Sequence, residues 1–218
     1  MSKLKTSQLK LEKSMERRKF LIGAGIFVLI ALSLVIARIF FTPVPKYAAV
    51  DITGANYGKN FQLTDHNGKP KGLADFKGKV VVLFFGYTQC PDVCPTAMVE
   101  MAKVKKELGR DADKLQVVFV TVDPERDTQE VLKAYMENFD QTFLALRGTP
   151  EQLSQVAADF RIIYNKVDGS TPTSYTMDHS AGRYIYDANG RLRLYARYGI
   201  EVPSIASDIR LLLKDTIS

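Results

Sequence analysis

The stretch VVVLFFGYTQCPDVCP, residues 80–95, sets the centre of the fold. From Val80 to Phe85 every position is apolar, as suits a strand covered on both faces in the middle of a sheet. Cys90 and Cys94 follow where the strand gives way to a helix. Both sulfurs are therefore expected near the positive end of a helix dipole, which favours thiolates. Pro91 suits a first-turn position, and in a helical turn α-carbons four residues apart lie roughly 6 Å from one another, within disulfide reach. The pair can close or open.

Outward from this stretch, β and α patterns alternate. Met98, Met101, Ala102 and Leu108 recur at helical spacing, and LQVVFVTV (115–122) reads as a second buried strand. Asp127-Thr128-Gln129-Glu130 has capping-box spacing ahead of a helix face made of Val131, Leu132, Tyr135 and Phe139. Phe143–Leu146 is a short strand, and Thr149-Pro150-Glu151-Gln152 caps a helix that turns Leu153, Val156, Ala157 and Phe160 inward. Residues 165–180 (NKVDGSTPTSYTMDHS) are expected to form a long polar loop, of the kind that is functional or mobile. Tyr184–Tyr186 and Leu192–Tyr195 flank an Asn189-Gly190 turn as a hairpin, and Pro203 opens a last helix. Ahead of the central strand, Phe61–Leu63 and the Asn67-Gly68 turn predict an opening hairpin. A central strand ending in a cysteine pair, alternating elements and a closing hairpin plus helix predict an α/β thioredoxin-like fold with an N-terminal hairpin extension.

The net charge of +6 in 218 residues suggests a nucleic-acid or membrane surface until it is located. Residues 1–19 carry seven Lys/Arg against Glu12 and Glu16, and Arg38 supplies the remaining charge, so residues 39–218 are neutral. Without a basic stripe there is no case for a nucleic-acid partner. FLIGAGIFVLIALSLVIARIFF (20–41) is instead 22 residues interrupted only by Arg38, close to the roughly 20 that cross a bilayer. A cleaved signal peptide would have an apolar core of about 7–15 residues ending in a small-x-small site. Here the core runs 17 residues, Leu21–Ala37, and ends in Arg-Ile-Phe-Phe, so a single retained transmembrane helix is expected. The basic flank keeps the N-terminus in the cytoplasm and exports everything after Phe41. Glu12 and Glu16 speak against a mitochondrial transit peptide and for a bacterial inner membrane. The expected organisation is a basic cytoplasmic tail (1–19), an anchor (20–41), a Pro43/Pro45 stalk (42–50) and an extracytoplasmic, periplasmic domain (51–218).

Two cysteines exclude a disulfide-framework miniprotein, a four-cysteine zinc site and a four-cysteine iron–sulfur cluster. A structural disulfide is the bland reading of the pair in an oxidising compartment. Against it, a bridge between residues four apart closes a very small loop and stabilises little, and a strand-to-helix site is where reactive thiols are kept. The spacing is one residue longer than Cys-x-x-Cys, and no His follows as in a c-type haem site. Two soft sulfurs with an imidazole suit Cu(I), and Cu(II) is also compatible, whereas zinc would want a fourth ligand. His179 is the candidate third ligand, because His66, the other histidine, falls in the Asn67-Gly68 turn. Met98 and Met101 read as core, Met177 as packing, and Asp123 and Asp127 as a strand-end turn and a helix cap. Phe84, Phe85 and Tyr87 read as core and rim of the strand.

FFGYTQCPDVCPT, VTVDPERDT and YTMDHS before YIYDANG together closely resemble the SCO/SenC family of membrane-anchored, thioredoxin-like copper proteins, over about residues 50–215. The resemblance implies that Cys90, Cys94 and His179 bind one copper ion. It further implies a protein that helps assemble the dinuclear copper centre of cytochrome c oxidase, with the copper-bearing oxidase subunit as partner, and a metallochaperone is the first reading of that role. Another copper chaperone or a thiol reductant is a further expected partner. A thiol-disulfide oxidoreductase, in which Cys90 and Cys94 reduce the cysteines of the oxidase copper site, remains the alternative.

Overall fold

A computed structural model of the chain describes residues 21, 23–26, 28–33, 47–169 and 174–215. It divides into two units, residues 1–45 and 46–218. In the first, the described residues are helical and exposed. Half of the expected Phe20–Phe41 anchor, the tail before it and residues 42–46 of the expected stalk lie outside the described residues. Among the described residues no helix is long and apolar enough to cross a membrane.

The second unit is built on strands β1 (Val50–Asp51), β2 (Gln62–Asp65), β3 (Pro70–Gly72), β4 (Val80–Gly86), β5 (Leu115–Thr121) and β6 (Leu144–Arg147), then β7 (Tyr164–Asp168), β8 (Tyr175–His179), β9 (Arg183–Tyr186) and β10 (Leu192–Ala196). Four helices complete it: α1 (Val93–Leu108), α2 (Gln129–Glu137), α3 (Pro150–Phe160) and α4 (Val202–Asp215). Eight strands form one mixed sheet in the order β1-β10-β9-β4-β5-β6-β2-β3. At its centre β4 and β5 run parallel, Val80 opposite Leu115 through Gly86 opposite Thr121. All seven residues of each strand are buried, which is why both lack the alternation of a half-exposed strand. Side chains still alternate between the faces. Phe84 stacks with Phe119 on one, while Phe85 meets Phe160 and Tyr184 on the other. Helices α1 and α4 pack against each other and α4 against β4.

The opening hairpin, the closing hairpin and the four helices form as expected. Thr149 caps α3 in a capping box with Gln152. Three local readings differ. Residues 165–180 are not one long loop: β7 and β8 pair antiparallel, Tyr164 opposite His179 through Asp168 opposite Tyr175, as a separate two-stranded sheet. Polar, mostly exposed residues conceal this strand pair, since only Tyr175, Met177 and His179 alternate inward. The cap of α2 is Thr128, whose hydroxyl accepts from Val131 N–H, and not Asp127, whose carboxylate is engaged elsewhere. Finally α1 starts at Val93, so Cys90 and Pro91 precede the helix.

One charged contact inside this unit sets a testable energetic constraint. Arg183 on β9 is fully buried and forms an ion pair with Glu100 on α1, while its Nε and Nη1 atoms find no hydrogen-bond partner. Removing Glu100 leaves a buried, uncompensated guanidinium. Urea unfolding of Glu100→Ala is expected to show a loss of roughly 3–5 kcal/mol, whereas replacing both partners together (Glu100→Leu with Arg183→Met) costs much less.

Candidate metal centre

The site forms where β4 and β5 end. Beyond Gly86 the chain turns through Tyr87, Thr88 and Gln89 to Cys90, and this turn needs a fixed base because it has left the sheet. Asp127 provides it. Its fully buried carboxylate accepts from Thr88 N–H at 3.2 Å, from Thr88 Oγ1 at 2.5 Å and from Thr121 Oγ1 at 2.5 Å. Burial pushes the Asp127 carboxyl above its ordinary value, against the pull of these hydrogen bonds. Cys90 N–H in turn donates to Tyr87 C=O at 3.3 Å, and the Cys90 side chain stands half-buried at the rim.

Cys94, the second residue of α1, is fully buried and points back at the end of β4. There is room for its sulfur only because residue 86 is glycine. A Cβ added at Gly86 would stand 2.9 Å from Cys94 Sγ, 2.8 Å from the Phe119 ring and 2.9 Å from the Phe84 ring. Burial pushes the Cys94 thiol up, well above the ordinary thiol range. This corrects the expectation of thiolates at both cysteines. A helix terminus favours negative charge, but a sulfur with no solvent contact loses more by desolvation than the dipole returns.

His179 closes the site from β8. Its Nε2 lies 3.5 Å from Cys94 Sγ, and its Nδ1 lies 3.1 Å from the carbonyl oxygen of Ser180. A carbonyl accepts only, so Nδ1 carries the proton and Nε2 turns its lone pair toward the sulfur. Burial holds the imidazole below its ordinary value, so it is neutral at neutral pH. The rings of Phe84 and Tyr87 meet the imidazole edge-on, at centroid distances of 6.1 and 5.9 Å. Ligating atoms of Cys90, Cys94 and His179 all lie within 4.8 Å of one another. Two sulfurs and one neutral imidazole nitrogen are a donor set that a soft cation fits, and copper is the first-row metal that best matches it.

The remaining residues singled out in the sequence fall elsewhere. Met98 and Met101 are buried in the core, and Met177 is half-buried against it. His66 accepts from Ala145 N–H through Nδ1, far along the chain from the cysteines. Asp123 lies in the turn beyond β5, as expected, and accepts from Arg126 and from the Tyr175 hydroxyl, whereas Asp127 holds the Thr88 turn and is not a helix cap. Reading the sequence missed Gly86 as the slot for the Cys94 sulfur and Phe84 and Tyr87 as walls around the imidazole. A glycine closing a strand of bulky apolar residues was the available signal for the first.

The family model described as SCO1/SenC matches residues 50–214. A SCO2-like protein of Rickettsia felis is 37% identical over 135 residues, covering 62% of this chain and 66% of its own length. The human mitochondrial protein SCO2 homolog is 33% identical over 153 residues, covering 69% of this chain and 58% of its own length. The chain thus spans slightly less than two thirds of these relatives. Among solved structures, Bradyrhizobium japonicum ScoI with copper bound is 40% identical, with a TM-score of 0.66 over 72% of this chain and 99% of that one.

Two outcomes test the asymmetry of the cysteines. In the reduced chain at neutral pH, iodoacetamide is expected to modify Cys90 at least about tenfold faster than Cys94, read by mass spectrometry, because Cys94 is both shielded and protonated. Gly86→Ala is expected to lower stability by about 1–3 kcal/mol and to raise Cys94 alkylation, as the added methyl displaces the sulfur from its slot.

Proposed function

The chain belongs to the SCO1/SenC family, and from that premise we propose that it carries one copper ion on Cys90, Cys94 and His179 and passes it to the copper-bearing subunit of cytochrome c oxidase, helping to assemble that subunit's dinuclear centre. The observation that carries this reading is the convergence of two sulfurs and one imidazole nitrogen within 4.8 Å at the end of the central strands. Copper is the cargo. Loading displaces the thiol protons, and the cation supplies the charge that offsets the desolvation of a buried Cys94 thiolate. His179 is already neutral and needs to lose no proton at Nε2. Release runs by ligand exchange: an incoming thiolate from the target replaces Cys90 first, because Cys90 stands half-buried at the rim while Cys94 is fully buried.

A second reading has one observation in its favour. Cys90 is accessible, Cys94 is buried, and His179 Nε2 stands 3.5 Å from Cys94 Sγ, able to take its proton. That arrangement suits a thiol-disulfide oxidoreductase in which Cys90 attacks a disulfide of the oxidase copper site and Cys94 resolves the mixed disulfide. In either reading residues 1–19 form a cytoplasmic tail, 20–41 a single membrane anchor, 42–50 a stalk and 51–218 the working domain outside a bacterial inner membrane. The basic flank and the apolar run support that topology. A second copper chaperone or a thiol reductant would then reload or reduce the pair.

An anaerobic Cu(I) titration of the reduced, detergent-solubilised full-length chain against a competing chelator separates the two. One equivalent per chain is expected, with affinity about tenfold weaker or more in His179→Ala, a loss of about 1.4 kcal/mol or above. Weak binding indifferent to His179 would reject the chaperone reading; a mixed disulfide trapped on Cys94→Ser would then establish the oxidoreductase.

A further inference from the structure

His179 is delivered by a strand that the main sheet does not hold. Strands β7 and β8 pair only with each other. At its C-terminal end β8 is tied down three residues beyond His179: Gly182 lies against the Tyr195 ring so closely that a Cβ there would overlap it, and Arg183 enters the main sheet opposite Phe84. The other end, Tyr175, is about 13 Å from His179 at the ordinary rise of a strand. With the C-terminal end held and the Phe84 and Tyr87 rings against the imidazole, the line on which β8 brings His179 to the site is completed by what fixes Tyr175.

Arg126 fixes it. Its guanidinium carbon lies 3.5 Å from the centroid of the Tyr175 ring and 5.7 Å from that of Tyr87. Nη1 donates to the Tyr175 carbonyl at 2.9 Å and to Gln89 Oε1 at 3.2 Å, and Nε pairs with Asp123. The Tyr175 hydroxyl donates to the same Asp123 carboxylate at 2.9 Å, so ring, backbone and hydroxyl of Tyr175 all meet one Arg–Asp pair. Lys166, itself paired with Glu125, lies 3.9 Å from the Tyr175 ring centroid. Arg126 thus touches the residue before Cys90, the ring that packs against His179, and the first residue of the strand that ends at His179. Its side chain is 16% exposed, and Nη2 is buried without a hydrogen-bond partner.

We propose that Arg126 is the positioning residue of this site: by pinning Tyr175 to Asp123 and Gln89 it sets where His179 stands relative to Cys94. The proposal rests on the reading of His179 as a copper ligand. A lysine cannot replace the arginine, because only a planar fork reaches a carboxylate, a carbonyl and an amide oxygen while lying on an aromatic ring.

The test uses the reduced full-length chain as wild type, Arg126→Gln, Arg126→Lys, His179→Ala and Arg126→Gln/His179→Ala. In the metal-free chain, amide hydrogen exchange across Tyr175–His179 is expected to quicken about tenfold or more in Arg126→Gln while β4 and β5 keep wild-type protection. Cu(I) affinity is expected to fall about fivefold or more in Arg126→Gln, with no further fall when His179 is already alanine, since the pin acts through the imidazole. Arg126→Lys restores neither. Should Arg126→Gln fail to fold, Tyr175→Leu, which removes the stacked ring, is expected to reproduce both effects. Unchanged exchange, or an equal loss of affinity with and without His179, overturns the proposal. If wild type binds no copper the function proposed above falls, and the exchange measurement by itself then upholds or rejects the pin.

Discussion

A sulfur packed against the end of the central strand is what the rest of the site depends on. Cys94 Sγ stands 2.9 Å from where a Cβ at residue 86 would be, in a space that only a glycine there leaves open. Burial raises the free thiol well above its ordinary value, and the Nε2 lone pair of His179, the Tyr87 backbone and the Cys90 side chain are polar groups that meet it. A buried thiol of this kind is inert until something compensates the negative charge of its thiolate. A soft cation does so without demanding water, which is why the same burial that depresses ordinary cysteine reactivity favours metal capture.

Each of the three donors is held by a different device. Cys94 is part of a helix whose inward face (Ala97, Met98, Met101, Val104) is locked into the core, so its position is as rigid as the core itself. Cys90 stands in a turn that has left both strand and helix, and that turn is suspended from the buried Asp127 through Thr88. His179 comes from a strand pair outside the main sheet, held by ring stacking, a few charged hydrogen bonds and the chain's return into β9. Rigidity therefore decreases from Cys94 through Cys90 to His179.

Much of this was legible in residue order. Continuous apolar runs at 80–85 and 115–122 mark central strands because burial on both faces removes alternation. Thr149 with Gln152, and Asn67 with Gly68, announce a helix start and a hairpin through local backbone chemistry. The β7–β8 pair was not legible: its residues are mostly polar, and strand pairing there buries too little to leave a pattern. Nor was the role of Asp127, which sits at a spacing suited to capping but bonds to Thr88, 39 residues earlier in the chain.

The sequence by itself determined the element order, the central strands, the two cysteines at a strand's end and the candidate for the third donor, because hydrophobic period, turn chemistry and a small inventory of Cys and His can be read from residue order. Only the tertiary structure decided the burial of Cys94 and His179 and the mutual placement of the three residues. Desolvation of Cys94 depends on its burial in the core beside Gly86, and the reach of His179 depends on Arg126 meeting Tyr175 49 residues away. Solvent exclusion and long-range contact are properties of the packed chain, and no window of sequence contains them.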